Sequence, residues 1–305
     1  MKRLLLTGGQ GFVGSTFTRM IARDADLAAW HLVETPPELD VRDAAAVFSM
    51  VQAASADAVV HLAAQSFVPE SFRDPASTIE VNVLGTLHLL QALRGTRFRG
   101  RMLYVGTGDG YGRVPEDALP VAETRLPVPR NPYAVSKLAA EALCRQWSMT
   151  ESVDVVLARP FNHIGWGQSD RFVVSDFARQ VSAIERGAHE PVVDVGDVDV
   201  TRDFTDVEDV VRAYFSLLDA GATGETYNVC SGREQSIRGV LGRLADLAGV
   251  DITVREDPAR LRKAEQRRIR GDPSRIRDTT GWTALTPLDV SLETMLDYWK
   301  HEDDR

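Results

Sequence analysis

Thr7-Gly8-Gly9-Gln10-Gly11-Phe12-Val13-Gly14 is the stretch that decides the fold. It follows the apolar run Leu4-Leu5-Leu6 and opens a segment with helical periodicity. It therefore reads as the turn between a first strand (residues 3–7) and a first helix (residues 12–23). Gly8, Gly11 and Gly14 give a Gly-x-x-Gly-x-x-Gly spacing, a variant of the dinucleotide fingerprint. Small residues are needed there for a tight turn, close backbone approach to a pyrophosphate and helix–strand packing, with the anion on the helix N-terminus. On this reading Gly8, Gly11, Phe12, Val13 and Gly14 touch a dinucleotide.

The rest of the first half repeats the strand–helix rhythm. Strands are predicted over residues 30–34, 58–62, 102–106 and 154–158, and helices over 44–53, 78–93 and 132–150. The strands are apolar on both faces, as in a parallel sheet covered by helices on each side. The fold class is α/β, a Rossmann-like doubly wound parallel sheet with a smaller C-terminal substrate lobe. The dinucleotide domain is placed at 1–160, its sheet completed by about 204–230. The lobe is placed at 161–203 and 231–305. Beyond Arg159-Pro160 the rhythm loosens: residues 187–203 read as one short strand within long loops, and helices return at 207–219, 236–248 and 288–301.

Composition narrows the function. With 305 residues, 44% hydrophobic, the chain can bury a large core. A net charge of -9 argues against a nucleic-acid partner, because phosphate binding needs a basic surface. The two cysteines, Cys144 and Cys230, form no disulfide framework, and the six histidines show no ligand spacing, so no metal site is expected. No apolar run approaches the roughly 20 residues that span a bilayer. A soluble, cytoplasmic protein is expected.

The end of the second strand is where the adenosine ribose is read. Glu34 is the candidate, and a carboxylate favours the free 2'-hydroxyl of NAD over the 2'-phosphate of NADP. Glu34 could equally be an ordinary surface acid beside Pro36-Pro37, so NADH and NADPH both stay open. Asp40 and Val41 could meet the adenine edge. Leu62, Ala63 and Ala64 could line the ribose and diphosphate after the third strand, or simply pack.

Asn131-Pro132-Tyr133-Ala134-Val135-Ser136-Lys137 carries the chemistry. Asn131 and Pro132 suit a helix cap and first turn, and Tyr133 and Lys137 share one helical face. A lysine about 4 Å from the phenol, at an effective dielectric near 20, would stabilise the phenolate by roughly 4 kcal/mol. That would bring its pKa from about 10 toward about 7, suited to proton exchange with a sugar oxygen. Thr107, at the end of the fourth strand, could bridge that oxygen and Tyr133.

With these residues assembled, the chain resembles the extended short-chain dehydrogenase/reductases acting on nucleotide sugars, along nearly its whole length. Within them it is most similar to the GDP-4-keto-6-deoxy-D-mannose reductases. The segments that carry this are residues 61–70, Arg130-Asn131-Pro132-Tyr133, residues 158–165, Asp199-Val200-Thr201-Arg202-Asp203-Phe204 and Ala264-Glu265-Gln266-Arg267-Arg268. The resemblance implies reduction of the C4 ketone of GDP-4-keto-6-deoxy-D-mannose by NADPH or NADH to GDP-D-rhamnose. Thr107, Tyr133 and Lys137 would be catalytic, with Tyr133 as proton donor. Tyr133, Lys137 and Arg159 would also contact the cofactor. Ser66, Thr107, Asn162, Arg202, Arg262 and Glu265 would bind the GDP-sugar, with Arg202 on the diphosphate and a homodimer expected. Related 4,6-dehydratases place a small acidic or hydroxyl residue and then Glu after the Thr; here those positions are Gly108 and Asp109, which implies that elimination is lost. Gly110 and Trp166 stand where the family has Val and Pro. The alternatives are a 4-epimerase or 4,6-dehydratase of the same superfamily, or a non-catalytic dinucleotide sensor.

Overall fold

Leu4, Leu5 and Leu6 are completely inaccessible in the computed structural model, which describes residues 1–33, 35–260 and 266–302. They belong to β1 (Lys2–Thr7), followed by α1 (Phe12–Arg23), β2 (Trp30–Val33), α2 (Ala44–Ala54) and β3 (Ala58–His61). Next come α3 (Val68–Arg73), α4 (Pro75–Ile79), a π turn (Glu80–Leu84), α5 (Gly85–Gly95), β4 (Arg101–Val105), α6 (Pro132–Thr150) and β5 (Asp154–Pro160). The second half contains β6 (Asn162–Ile164), α7 (Val173–Glu185), β7 (Val192–Val195), β8 (Thr201–Asp206), α8 (Val207–Ala220) and β9 (Thr226–Val229). It ends with β10 (Glu234–Ser236), α9 (Ile237–Ala248), β11 (Thr253–Glu256), α10 (Ser274–Thr280) and α11 (Leu288–Glu302).

Six parallel strands form one sheet in the order β2-β1-β3-β4-β5-β9. One face packs on α1 and α8 through Phe17, Met20, Val210 and Tyr214. The other packs on α2, α5 and α6 through Val51, Leu89, Leu93 and Ala140. Each fully buried aliphatic side chain contributes about 1.5–3 kcal/mol, which is why strands buried on both faces read as unbroken apolar runs. A second core lies among α7, α9, α11 and β7, with Phe177, Val181, Val193, Leu244, Leu296 and Trp299. The strand order β10-β8-β6 borders it.

Local chemistry explains the helix starts. Asp43 caps α2 by accepting from the Ala45 and Ala46 amides. Asn131 caps α6 by accepting from Ala134 N at 2.7 Å, with Pro132 in the first turn. Two predictions fail. The single helix expected over 78–93 is interrupted by the π turn, which aims Asn82 inward. The region read as one short strand holds both β7 and β8, and α7 precedes them.

The strand order reverses between β1 and β3, and the glycine turn sits at that switch point. Gly8 has φ +74°, and a Cβ there would lie 2.7 Å from the Ala63 amide nitrogen. A Cβ on Gly14 would lie 2.5 Å from the carbonyl oxygens of Gly8 and Gly9, so α1 can only close on the turn without one. Gly14→Ala is therefore expected to destabilise the protein by about 1–3 kcal/mol and to weaken dinucleotide binding strongly. Urea unfolding and a cofactor fluorescence titration check both; unchanged values would contradict this packing.

Candidate active site

The glycine turn and the loop after β3 form one wall of a cleft. Gly11 caps α1 without a side chain, and its added Cβ would meet only the Gly8 carbonyl, at 3.4 Å. The fit to a pyrophosphate is thus direct: a side-chain-free helix N-terminus faces open space, backed by glycines that cannot be enlarged. Phe12 stacks on His163 of β6, with ring centroids 5.9 Å apart. Ala63 N donates to Thr7 Oγ1 at 3.3 Å, tying the residue 62–64 loop to β1.

Other expected cofactor contacts are distributed differently. Glu34 lies outside the described residues. The Asp40 carboxylate is held by the Arg42 guanidinium at 2.6–3.0 Å, which keeps it below the usual carboxylate range. Val41 is buried against α5, and its carbonyl is hydrogen-bonded to His88 Nδ1 at 3.0 Å, so its side chain is core. The Arg159 guanidinium makes a bidentate pair with Glu141 on α6, at 2.9 and 2.7 Å, and lies 4.9 Å over the Tyr111 ring. Burial of both partners requires that pairing, which makes Arg159 a brace between β5 and α6, while its Nη1 has no hydrogen-bond partner among the described residues.

Thr107 and Tyr133 come together, with Lys137 one turn further along α6. Thr107 Oγ1 accepts from the Asp109 amide at 3.2 Å, and its hydroxyl lies close enough to the Tyr133 phenol to influence its ionisation. The pKa of that phenol is shifted upward, against the reading from spacing. Burial is the main cause, Asp109 adds to it, and the Thr107 hydrogen bond opposes it. The Lys137 ammonium instead lies 4.8 Å over the ring of Tyr104, whose hydroxyl donates to the Lys137 carbonyl at 3.0 Å. Burial pushes Lys137 down to about 8, opposed by Cys144 and Glu141. Sharing a helical face did not make Lys137 the electrostatic partner of Tyr133.

A buried polar chain that the sequence reading missed runs beneath this centre. Thr86 donates its hydroxyl proton to the Asn82 carbonyl at 2.7 Å, so His61 Nε2 must be the donor to Thr86 Oγ1 at 3.0 Å. His61 Nδ1 then accepts from Thr7 Oγ1 at 2.7 Å. Burial, with Lys137 nearby, pushes His61 down to about 3, so the imidazole is neutral and its tautomer fixed. The Asn82 carboxamide donates to Gln65 O at 3.0 Å and Ser136 Oγ at 2.9 Å, and accepts from Gln65 N at 2.8 Å. It fastens the loop after β3 to the helix bearing Tyr133. The Asn-Val-Leu-Gly run was the available signal, but it looked like ordinary helix.

On the opposite side, Arg202 Nη1 donates to Thr201 O at 2.7 Å and Gln266 O at 2.8 Å. Asp203, beside it, accepts from Ser231 N and Oγ, Gly232 N and Gly271 N at 2.6–3.2 Å. Burial still raises its carboxyl to about 6. Asn162 is exposed, with Nδ2 3.4 Å from the Asp203 carbonyl. Ser66 is exposed too, just before Phe67, the cap residue of α3. Arg262 and Glu265 lie outside the described residues. A Cβ on Gly108 would approach the Phe161 ring to 3.0 Å, and one on Gly110 would approach Leu138 to 2.9 Å. Trp166 packs edge-on against Tyr298, with centroids 5.4 Å apart. Among the described residues no cluster of His, Cys, Asp or Glu could hold a metal, and no helix is long and apolar enough to cross a membrane.

The parallel sheet, its glycine turn and the Thr–Tyr–Lys set define an extended short-chain dehydrogenase/reductase. The family model described as GDP-mannose 4,6 dehydratase matches residues 5–295, and the chain belongs to that family. It is 49% identical to the GDP-6-deoxy-D-mannose reductase of Pseudomonas aeruginosa, over 98% of this chain and 97% of that one. The solved structure of RMD from Pseudomonas aeruginosa complexed with NADPH superposes with a TM-score of 0.94 at 47% identity, covering 99% and 100% of the two chains. The GDP-6-deoxy-D-talose 4-dehydrogenase of Aggregatibacter actinomycetemcomitans is 28% identical, over 92% and 91%.

Lys137 supplies a prediction whose sign can be worked out. Its folded pKa of about 8 lies below the ordinary 10.5. Between these values the unfolded chain binds more protons, so this group makes stability rise with pH across that window and costs stability below it. Lys137→Met should therefore raise stability at pH 7, by up to about 3 kcal/mol, and flatten the alkaline rise. Urea unfolding from pH 7 to 10.5 checks this; a less stable variant at pH 7 would contradict it.

Proposed function

We propose that this protein reduces the C4 ketone of GDP-4-keto-6-deoxy-D-mannose to give GDP-D-rhamnose, with NADPH as reductant and the cytoplasm as its setting. The observation that carries the reading is the Tyr133 phenol, set beside the Thr107 hydroxyl at the strand end and with its pKa shifted upward. Reduction needs an acid beside the carbonyl, and burial holds Tyr133 in its acid form. Extensive identity with a GDP-6-deoxy-D-mannose reductase supports the substrate, and the NADPH complex of RMD supports the cofactor.

Gly8, Gly11, Phe12, Val13 and Gly14 would hold the dinucleotide, with Leu62, Ala63 and Ala64 beside it. When bound, it supplies the hydride. Thr107 orients the C4 oxygen, and Tyr133 gives it a proton as negative charge develops. Lys137, cationic at neutral pH and one helical turn beyond Tyr133, would contact the bound dinucleotide. Arg202 takes the diphosphate, Asn162 and Ser66 the hexose, and Arg262 with Glu265 the nucleoside. On this reading the diphosphate and nucleoside would lie against the lobe made of residues 161–203 and 231–305.

Elimination is disfavoured at the strand end. Gly108 abuts Phe161, so an acid-bearing side chain there would require that ring to move. We also propose a homodimer through the outer face of α6, where Val135 is exposed and the α4 helix and π turn packed on α6 expose Ile79 and Leu84. Val135→Glu should then give a monomer by light scattering; an unchanged mass would count against that face.

Tyr133→Phe keeps the ring and removes the proton donor. It should lower kcat on GDP-4-keto-6-deoxy-D-mannose about 10²- to 10⁴-fold and leave NADPH affinity within about twofold. NMR of the wild-type product should show the D-rhamno configuration at C4. Unchanged turnover in the variant, or a product with another C4 configuration, would refute the assignment.

A further inference from the structure

Gln266 uses its whole carboxamide to grip a distant loop. Oε1 accepts from Val114 N at 3.1 Å, and Nε2 donates to Val114 O at 2.7 Å and to Arg268 O at 2.7 Å. A side chain that pairs with both the N–H and the C=O of one residue imitates a neighbouring strand and fixes that residue's backbone. The partner is not incidental: Val114, itself buried, lies on the connection from Thr107 at the end of β4 to Asn131 at the start of α6. On its other side Gln266 offers its carbonyl to Arg202 Nη1 at 2.8 Å. One residue thus joins the arginine facing the substrate to the loop between Thr107 and Tyr133.

The neighbouring bonds make the same seam. Thr201 N donates to Arg267 O at 2.9 Å, Val121 N to Arg270 O at 2.9 Å, and Asp272 N to Val121 O at 3.0 Å. Arg268 spans Glu234 on β10, at 2.7 and 2.8 Å, and Glu116 of the loop, at 2.9 Å.

We propose that Gln266 is a positioning residue that presets Arg202 for the diphosphate and couples its placement to the loop carrying the Thr107–Tyr133 centre. This rests on the function proposed above. Arg202 is a flexible side chain whose ordering opposes binding, and anchoring it beforehand on the Gln266 carbonyl removes part of that cost. Gln266 acts through the position of that carbonyl, without touching substrate itself.

The test is a double-mutant cycle between Gln266→Leu and Arg202→Ala, read by GDP affinity from calorimetry and by kcat and KM for the keto sugar. Gln266→Leu alone should weaken GDP and raise KM roughly tenfold, with a smaller change in kcat and unchanged NADPH affinity. In the Arg202→Ala background it should add little. Gln266→Glu keeps the shape and cannot donate to Val114 and Arg268, so it should weaken GDP in the same direction even if the leucine variant folds poorly. Full additivity with Arg202→Ala, or parallel loss of NADPH affinity, would overturn the proposal. A wild-type protein with no affinity for GDP would bring down the functional reading first.

Discussion

Desolvation of the partly buried Tyr133 phenol is the constraint on which the proposed chemistry depends. Burial raises the cost of the phenolate, and the Thr107 hydroxyl recovers only part of it. The result is an acid held in its donating form, directed at the place where an alkoxide would develop. The surrounding structure keeps that environment dry and rigid: Asn82 joins the loop after β3 to α6, and Arg159 with Glu141 braces β5 against the same helix. The Arg159–Glu141 ion pair offsets the cost of burying both charges beside that helix.

Two sides of the cleft are prepared by different means. The dinucleotide side is steric, because Gly8 and Gly14 leave no volume for a side chain and the anion site is made of backbone. The sugar side is built from hydrogen bonds, with Asp203 collecting four donors from two turns and Arg202 held by two carbonyls. Lys137 shows the cost of such a centre: a cation kept in a buried position that would be more stable without it, set over the face of Tyr104. Placing a disfavoured charge at a reacting centre is a familiar exchange of stability for activity.

Much of this was legible in the sequence. The glycine spacing, the apolar strands and the Asn131-Pro132 start of α6 specified the dinucleotide half, because local geometry alone dictates those residue types. The α7 helix was missed although Val174, Phe177, Ala178, Val181 and Ile184 follow its period; the polar, glycine-bearing stretch before it obscured the start. The pairing of Arg159 with Glu141, 18 residues away, reveals itself only in three dimensions. The same reason hid the His61 relay and Gln266. Spacing placed Tyr133 and Lys137 on one face, but it could not report how far burial would outweigh a neighbouring cation, nor that Tyr104 would receive the ammonium.

The state of the Tyr133 hydroxyl is therefore the quantity to measure. Carbon-13 NMR of ring-labelled tyrosine, titrated upward from neutral pH and assigned by comparison with a Tyr133→Phe sample, reports it directly. The account expects the Tyr133 resonance of the free protein to keep its protonated shift beyond the ordinary tyrosine range near pH 10. A resonance that titrates around pH 7 would contradict it, showing a phenol governed by its lysine rather than by its burial.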